Sequence, residues 1–296
     1  MSKVAIITDS NSGITQAQAT ELGIYVLPMP FTMEGQEFYE DISLTQAQFY
    51  EKLEGETEIA TSQPSPEAVT SLWDKVLIDY DEIVHIPMSS GLSGSCQTAM
   101  LLAEDYDGRV KVVNNQRISV TQRQSALDAK ALAEAGKTAA EIEQILMDTK
   151  MDSDIYIMVD TLKYLKKGGR VTPAAAAIGE ILRIKPVLQI HGEKLDAFAK
   201  ARNIKAAKTL MVNAVKKNIQ ENLGEIPAAD AKNAPWIAMA HTQNEEEAKL
   251  WREELQEEFP GYEIHIDPLS LSIACHIGPG ALAIAASKKL EIGSLL

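Results

Sequence analysis

The chain has 296 residues, 45% hydrophobic and 24% charged, which is the composition of a globular protein and argues against disorder. That length accommodates one large domain or two ordinary ones. Its 28 basic and 42 acidic residues give a formal charge of −14, which excludes general nucleic-acid affinity and allows at most transient contact with an anionic membrane surface.

Two widely separated cysteines, Cys96 and Cys275, stand outside any CxxC pattern and fit a reducing compartment. The opening MSKVAIITDS leads straight into a strand pattern without the shape of a secretory leader. No apolar run approaches the roughly 18 residues of a membrane span. The expected location is cytoplasmic.

In chain order, KVAIIT (3–8) reads as a buried strand and YVLPMPF (25–31) as a second extended run whose prolines put it at an edge. A turn or hairpin within EGQEFYEDISL precedes a helix with Ser43 or Thr45 near its start. Pro66 of TSQPSP suits the first turn of a helix running to about Tyr80. EIVHIP (82–87) and RVKVVNN (109–115) are strands separated by a helix from about Ser93, and Thr138 with Glu141 has the spacing of a capping box. Strands alternating with helices predict an α/β domain with a Rossmann-like, mostly parallel sheet and helices on both faces.

The second half differs. DIYIMVD (154–160) reads as a strand, TLKYLKKGGRVTPAAAAIGEIL as two short helices around Gly-Gly, and KPVLQIHGEKLDAFAKAR as a hairpin turning at His191-Gly192. A helix over about 203–223, the strand PWIAMAHT, an acidic helix with Leu250 and Leu255 turned inward, and the strand YEIHIDPL follow. GPG near the C-terminus is expected to open a small-residue helix with Pro279 near its start. This predicts an α+β domain with a largely antiparallel sheet. The boundary falls near 150–160, giving domains 1–155 and 156–296.

Four polar loops, TDSNSG (8–13), TSQPSP (61–66), SSGLSGS (89–95) and VNNQR (113–117), follow strands or precede helices. Backbone N–H groups at helix starts attract anions, and Ser or Thr hydroxyls add donors. Gly91 and Gly94 allow close backbone approach. The 89–99 stretch has no Lys or Arg, which favours a carboxylate over a phosphate. Simple helix capping is the competing account of each loop.

A serine hydrolase is a further alternative. GLSGS resembles the nucleophile elbow, although Ser95 replaces the final glycine, with His276 as base and Asp9 as orienter. His85, His191 and His241 read as structural, no cluster has metal-ligand spacing, and there is no P-loop. Arg170 follows a double glycine that projects it from the chain, and His276 directly precedes the GPG break.

Together TDSNSGI, TSQPSP, SSGLSGSCQTA, LKKGGRVTP, IKPVL and HIGPGAL resemble, in order and spacing, the DegV family of bacterial fatty-acid-binding proteins. The resemblance spans essentially the whole chain. It implies two domains with a long-chain fatty acid between them, no other cofactor, and no catalysis by the chain itself. Thr61 and Ser93 match the hydroxyls that hold the carboxylate, with Ser62 and Gly94 beside them, and His276 matches a histidine near the head group. The acyl chain is expected in an apolar tunnel of the second domain. In members that act as fatty acid kinase subunits a separate kinase phosphorylates the presented carboxylate, and Arg170 and Arg202 match basic residues near the surface facing that partner. Gly13, Asn203 and Ala274 depart from the family's usual Asp, Thr and Gly. The runner-up remains an enzyme, either a Ser hydrolase or a dihydroxyacetone-kinase-like relative.

Overall fold

A computed structural model describes residues 2–40, 42–54, 58–178, 184–290 and 292. The chain divides into two compact units, one containing Met1–Met151 with Ser270–Ser272, the other Asp152–Leu269 with Ile273–Glu291. The division falls ahead of the strand that opens the second unit, whereas a boundary at 155/156 would cut through that strand.

The first unit contains β1 (Val4–Asp9), α1 (Gln16–Leu22), β2 (Tyr25–Leu27), β3 (Pro30–Met33), β4 (Gln36–Tyr39), α2 (Gln46–Glu54), β5 (Ile59–Thr61), α3 (Pro66–Val76), β6 (Glu82–Ile86), α4 (Ser95–Ala103), β7 (Val110–Val112), α5 (Ser119–Glu134) and α6 (Ala139–Asp148). β2, β1, β6 and β7 form a parallel sheet in that order. Every residue of β1 is buried, as expected for a strand covered on both faces. Ala5 and Ile7 pack with Trp73 and Val76 of α3 and Cys96 and Ala99 of α4. On the other face Thr8 accepts a hydrogen bond from Gln122 of α5.

A small antiparallel sheet, β4-β3-β5, draws its central strand from what the sequence suggests is one extended run. YVLPMPF is two strands in two sheets, because Pro28 and Met29 interrupt the pairing between them. Thr45, not Ser43, leads into α2, where its Oγ1 accepts from Gln48 N at 3.4 Å. The Thr138–Glu141 capping box is present. α5 has no counterpart among the elements expected from sequence, yet it supplies much of the unit's buried polar structure.

The second unit contains β8 (Ser153–Met158), α7 (Lys163–Gly168), α8 (Pro173–Ile178), β9 (Lys185–Ile190), β10 (Leu195–Ala201), α9 (Ile204–Leu223), β11 (Trp236–His241), α10 (Glu245–Glu258), β12 (Ile264–Pro268), all but the first two residues of α11 (Leu271–Ile277), and β13 (Leu282–Ser287). Part of the expected helix pair, residues 179–183, lies outside the described residues. The sheet order is β10-β9-β8-β13-β11-β12, antiparallel except for β11–β12. Met158, Val187, Met239 and Ile284 pack on one face with Met211 and Val215 of α9 and Trp251 and Leu255 of α10. Leu250 is 55% exposed, so Trp251 rather than Leu250 joins Leu255 inside.

The stretch after GPG is a strand and not a helix. Alanine favours helix, but Leu282, Ile284 and Ala286 alternate with Ala283 and Ala285, and β8 and β11 bond both edges of the strand. The two-residue period and the burial outweigh intrinsic propensity. On the sheet's second face this register aligns Ala238 with Ala285, Ala240 with Ala283, and those alanines with Ile155 and Ile157.

Candidate ligand-binding site

In the parallel sheet, the chain leaves β1 toward β2 on one side and returns to β6 on the other. The strand order therefore reverses between β1 and β6, and in open α/β sheets ligands bind beyond the carboxyl ends of the strands at such a switch point. The loops after β1, β6 and β7 all leave from that edge. Hydrogen bonds fasten them together: Met88 N donates to Asp9 Oδ2 at 2.8 Å, Asn114 Nδ2 to Ser90 Oγ at 2.9 Å, and Ser89 N to Arg117 O at 2.8 Å.

The fourth loop, TSQPSP, follows β5 of the small sheet instead, and Thr61 pairs with Phe31 at the end of that strand. It joins the others through Gln63, whose Nε2 donates to Thr98 Oγ1 of α4 at 3.0 Å. Thr61 is half-buried, Ser62 is exposed, and Ser62 N donates to Pro30 O at 3.2 Å. A narrow recess of about 10 Å³, room for roughly one water, lies where these segments meet, lined by Pro64, Ser95 and Thr98 together with Asp9 and His85.

Ser93 is half-buried, and its Oγ accepts from Ser95 N at 3.2 Å. A hydroxyl that accepts one bond keeps its proton to donate to an anion. Gly94 takes the N-cap position of α4 and makes no side-chain cap bond, and Ser93 Oγ serves the first helical amide, that of Ser95, instead. Its φ of −71° is ordinary. The constraint there is space: a Cβ on Gly94 would sit 3.0 Å from Gln63 Oε1.

Asp9 is fully buried and accepts from Met88 N, Asn11 N and Gln122 Nε2, at 2.8 to 3.0 Å. Burial, opposed by those donors, pushes its pKa up to about 6. An Asp committed to three N–H groups of its own unit is poorly placed to orient a catalytic histidine. Burial likewise pushes His85 down to about 3, so it stays neutral; it lies in the core as expected, but among the described residues neither ring nitrogen has a hydrogen-bond partner.

In the second unit His276 lies near the end of α11, half-buried, with its ring against Gly168. Burial first, and then the Arg170 charge, lower its pKa to about 4, so the imidazole is neutral near pH 7. Arg170 is exposed and its Nη1 donates to Gly168 O at 2.5 Å. Arg202, also exposed, lines a groove of about 670 Å³ with Lys185, Lys205, Asn203 and Asp160. Asn203 caps α9, its side chain accepting from Ala206 N at 2.8 Å, a bond that a Thr would also make. His191 pairs with Asp154 at 2.7 Å. Among the described residues no group of His, Cys, Asp and Glu has the arrangement of a metal site, and no helix is long and apolar enough to cross a membrane.

The first unit thus brings Thr61, Ser62, Ser93 and Gly94 to one edge, and the second contains His276, Arg170 and Arg202. The residues that sequence reasoning missed are Gln63 and Gln122, which hold the loops. Their only signal was an amide placed within or beside an otherwise hydroxyl-rich or apolar pattern.

A doubly wound sheet with an anion-receptive edge, followed in the same chain by an antiparallel α+β unit, defines a class of two-unit α/β proteins. The family model described as an uncharacterised protein family, DegV, matches residues 3–289, and the chain belongs to the DegV family. A DegV domain-containing protein of Listeria innocua is 32% identical over 290 residues, covering 97% of this chain and 99% of that one. One from Deinococcus radiodurans is 30% identical over 284 residues, with 95% and 97% covered. Among solved structures, a fatty-acid-binding DegV family protein from Thermus thermophilus is 28% identical with a TM-score of 0.86, covering 97% of this chain and 99% of that one. DegV of Bacillus subtilis, described as a fatty acid binding protein, is 28% identical with a TM-score of 0.83 over 98% and 100% of the chains.

Proposed function

We propose that this protein binds one long-chain fatty acid without transforming it and presents the carboxylate to a separate fatty acid kinase, which forms the acyl phosphate. The observation that carries this reading is the Gln63–Thr98 pair, which fastens the Thr61 and Ser93 loops together at the sheet edge. Thr61 and Ser93 hold the carboxylate, with Ser62 and the Gly94 turn beside them. His276, neutral near pH 7, meets the same head group.

The acyl chain is assigned to the second unit. Its sheet carries Ala238, Ala240, Ala283 and Ala285 on the face opposite α9, flanked by Ile155 and Ile157, a shallow apolar surface. Each CH₂ removed from water contributes about 0.8 kcal/mol, so the chain dominates affinity and the head group needs only enough donors to avoid unpaired burial. The fatty-acid-binding relatives support this ligand class. Arg170 and Arg202, both exposed, face the kinase.

Mass spectrometry of an organic extract of the purified protein tests the first part. A stoichiometric long-chain fatty acid is expected, and protein that neither yields one nor takes up added oleate sinks the reading. For presentation, loaded protein with ATP alone leaves the lipid unchanged. Adding the kinase yields an acyl phosphate that hydroxylamine traps as the hydroxamate. Labelling of Ser93 by a fluorophosphonate probe would favour the hydrolase instead.

A further inference from the structure

Two rings and two glycines interlock α7 with the turn that follows α11. A Cβ on Gly168 would lie 2.0 Å from His276 Nδ1 and 2.7 Å from its Cε1. A Cβ on Gly278 would lie 2.3 Å from Cδ2 and 2.4 Å from Cε2 of Tyr164. Each ring occupies the space that a side chain on the opposing glycine would need. Tyr164 and Gly168 are four residues apart and share one face of α7. That face therefore presents a ring and then a gap, while His276 and Gly278 present a ring and a gap in return.

The two glycines are required for different reasons. Gly278 has φ +75°, a left-handed backbone that itself favours glycine. Gly168 ends α7 without a positive φ, and Gly169, at φ +66°, already serves as the C-cap. A glycine within a helix costs about 1 kcal/mol relative to alanine. Backbone conformation therefore gives no reason for the first glycine of the pair, whereas the His276 imidazole does.

We infer that Gly168 is a positioning residue for His276: it opens the slot that receives the imidazole, and the Tyr164–Gly278 contact braces α7 against the same turn. What His276 then does for a ligand rests on the function proposed above, but its placement does not. The slot also brings the ring beside Arg170, whose Nη1 holds the Gly168 carbonyl. The lowered His276 pKa of about 4, caused by burial and then by the Arg170 charge, agrees with a ring held in that slot.

The test is Gly168→Ala, alone and with His276→Ala, in the full-length protein. In Gly168→Ala the His276 ring resonances shift, and their titration midpoint rises from about 4 by one unit or more toward the ordinary 6.5. The paired variant melts at the temperature of His276→Ala alone, because the clash has been removed. A folded Gly168→Ala whose His276 resonances and midpoint match those of the parent overturns the inference. So does an unfolded Gly168→Ala that His276→Ala fails to rescue. Oleate affinity separates the two readings: a fivefold or greater loss with the ring displaced supports both. A displaced ring with unchanged affinity keeps Gly168 as the positioning residue and removes His276 from the proposed head-group contact.

Discussion

At the carboxyl edge of the parallel sheet, Thr8, Asp9, Asn115, Gln122 and Ser125 are buried, and hydrogen bonds join Gln122 to Thr8 and Asp9, and Asn115 to Ser125. On the six-stranded sheet, mostly apolar side chains pack under α9 and α10 and aligned alanines line the other face, with buried polar groups such as Asp154, Lys208 and Asp267 set around them. The first unit spends buried polar groups on fixing loop geometry, since a directional network specifies where Ser93 and its neighbours stand. On the proposed function, the second keeps its side chains small where the acyl chain needs room. On that reading, head-group orientation and chain accommodation place opposite demands on a core.

The largest effect tests whether the second unit's stability rests on one face of its sheet. Leu255→Ala, which truncates a fully buried side chain of α10, is expected to cost about 2–5 kcal/mol in chemical denaturation. Leu250→Ala on the same helix, at an exposed position, should stay within about 0.5 kcal/mol. Equal losses at the two positions would mean that α10 does not seat Leu255 against the sheet in preference to Leu250.

Enlarging the alanine face comes next. Ala283→Leu is expected to cost about 1–3 kcal/mol through overpacking. Oleate binding should also weaken at least tenfold, with a smaller loss for shorter acyl chains. Ala126→Leu, equally buried in α5, should destabilise comparably without changing chain-length preference. If both variants alter preference alike, the comparison between the units fails.

Acid should separate the two units. Burial raises Asp9 and Asp128 to about 6, so between their ordinary 3.8 and that value the folded unit holds the extra protons, and stability grows as pH falls. His85, lowered to about 3, acts oppositely below 6.5, leaving a net gain of about one proton for the first unit. In the second unit His276 is lowered to about 4 and His241 is also lowered, while Asp154 is raised. Stability there is present above 6.5 and is lost as pH falls toward 4. Hydrogen exchange from pH 6 to 4.5 should show the second unit opening more easily and the first less so. Parallel changes in both units would break the contrast.

Much of the fold is legible in the sequence, for identifiable physical reasons. The β1 and β6 runs, the Thr138 capping box and the Asn203 cap are local signals, each complete within a few residues. The hydroxyl loops can be read as anion-receptive because helix starts and Ser-rich turns carry their donors with them. The strand after GPG escapes such a reading because alanine's local preference is helical, and only its neighbours β8 and β11 make it a strand. Gln63, Gln122 and the need for Gly168 depend on contacts across 35, 113 and 108 residues of chain, a separation at which no local pattern points to them.

The smallest effect bears most directly on the head group. Ser93→Ala removes one hydroxyl donor and also the acceptor for Ser95 N, so a change in α4 must be separated from a change in ligand binding. Ser93→Thr restores both roles and should recover affinity if the hydroxyl is what matters. The alanine variant is expected to lose about 1 kcal/mol, roughly fivefold, measured by competition with a fluorescent fatty acid. If the lost bond is to the carboxylate, that factor should be the same for every chain length, in contrast to the graded loss at Ala283. A chain-length-dependent loss at Ser93 would place that hydroxyl beside the acyl chain and detach it from the head group.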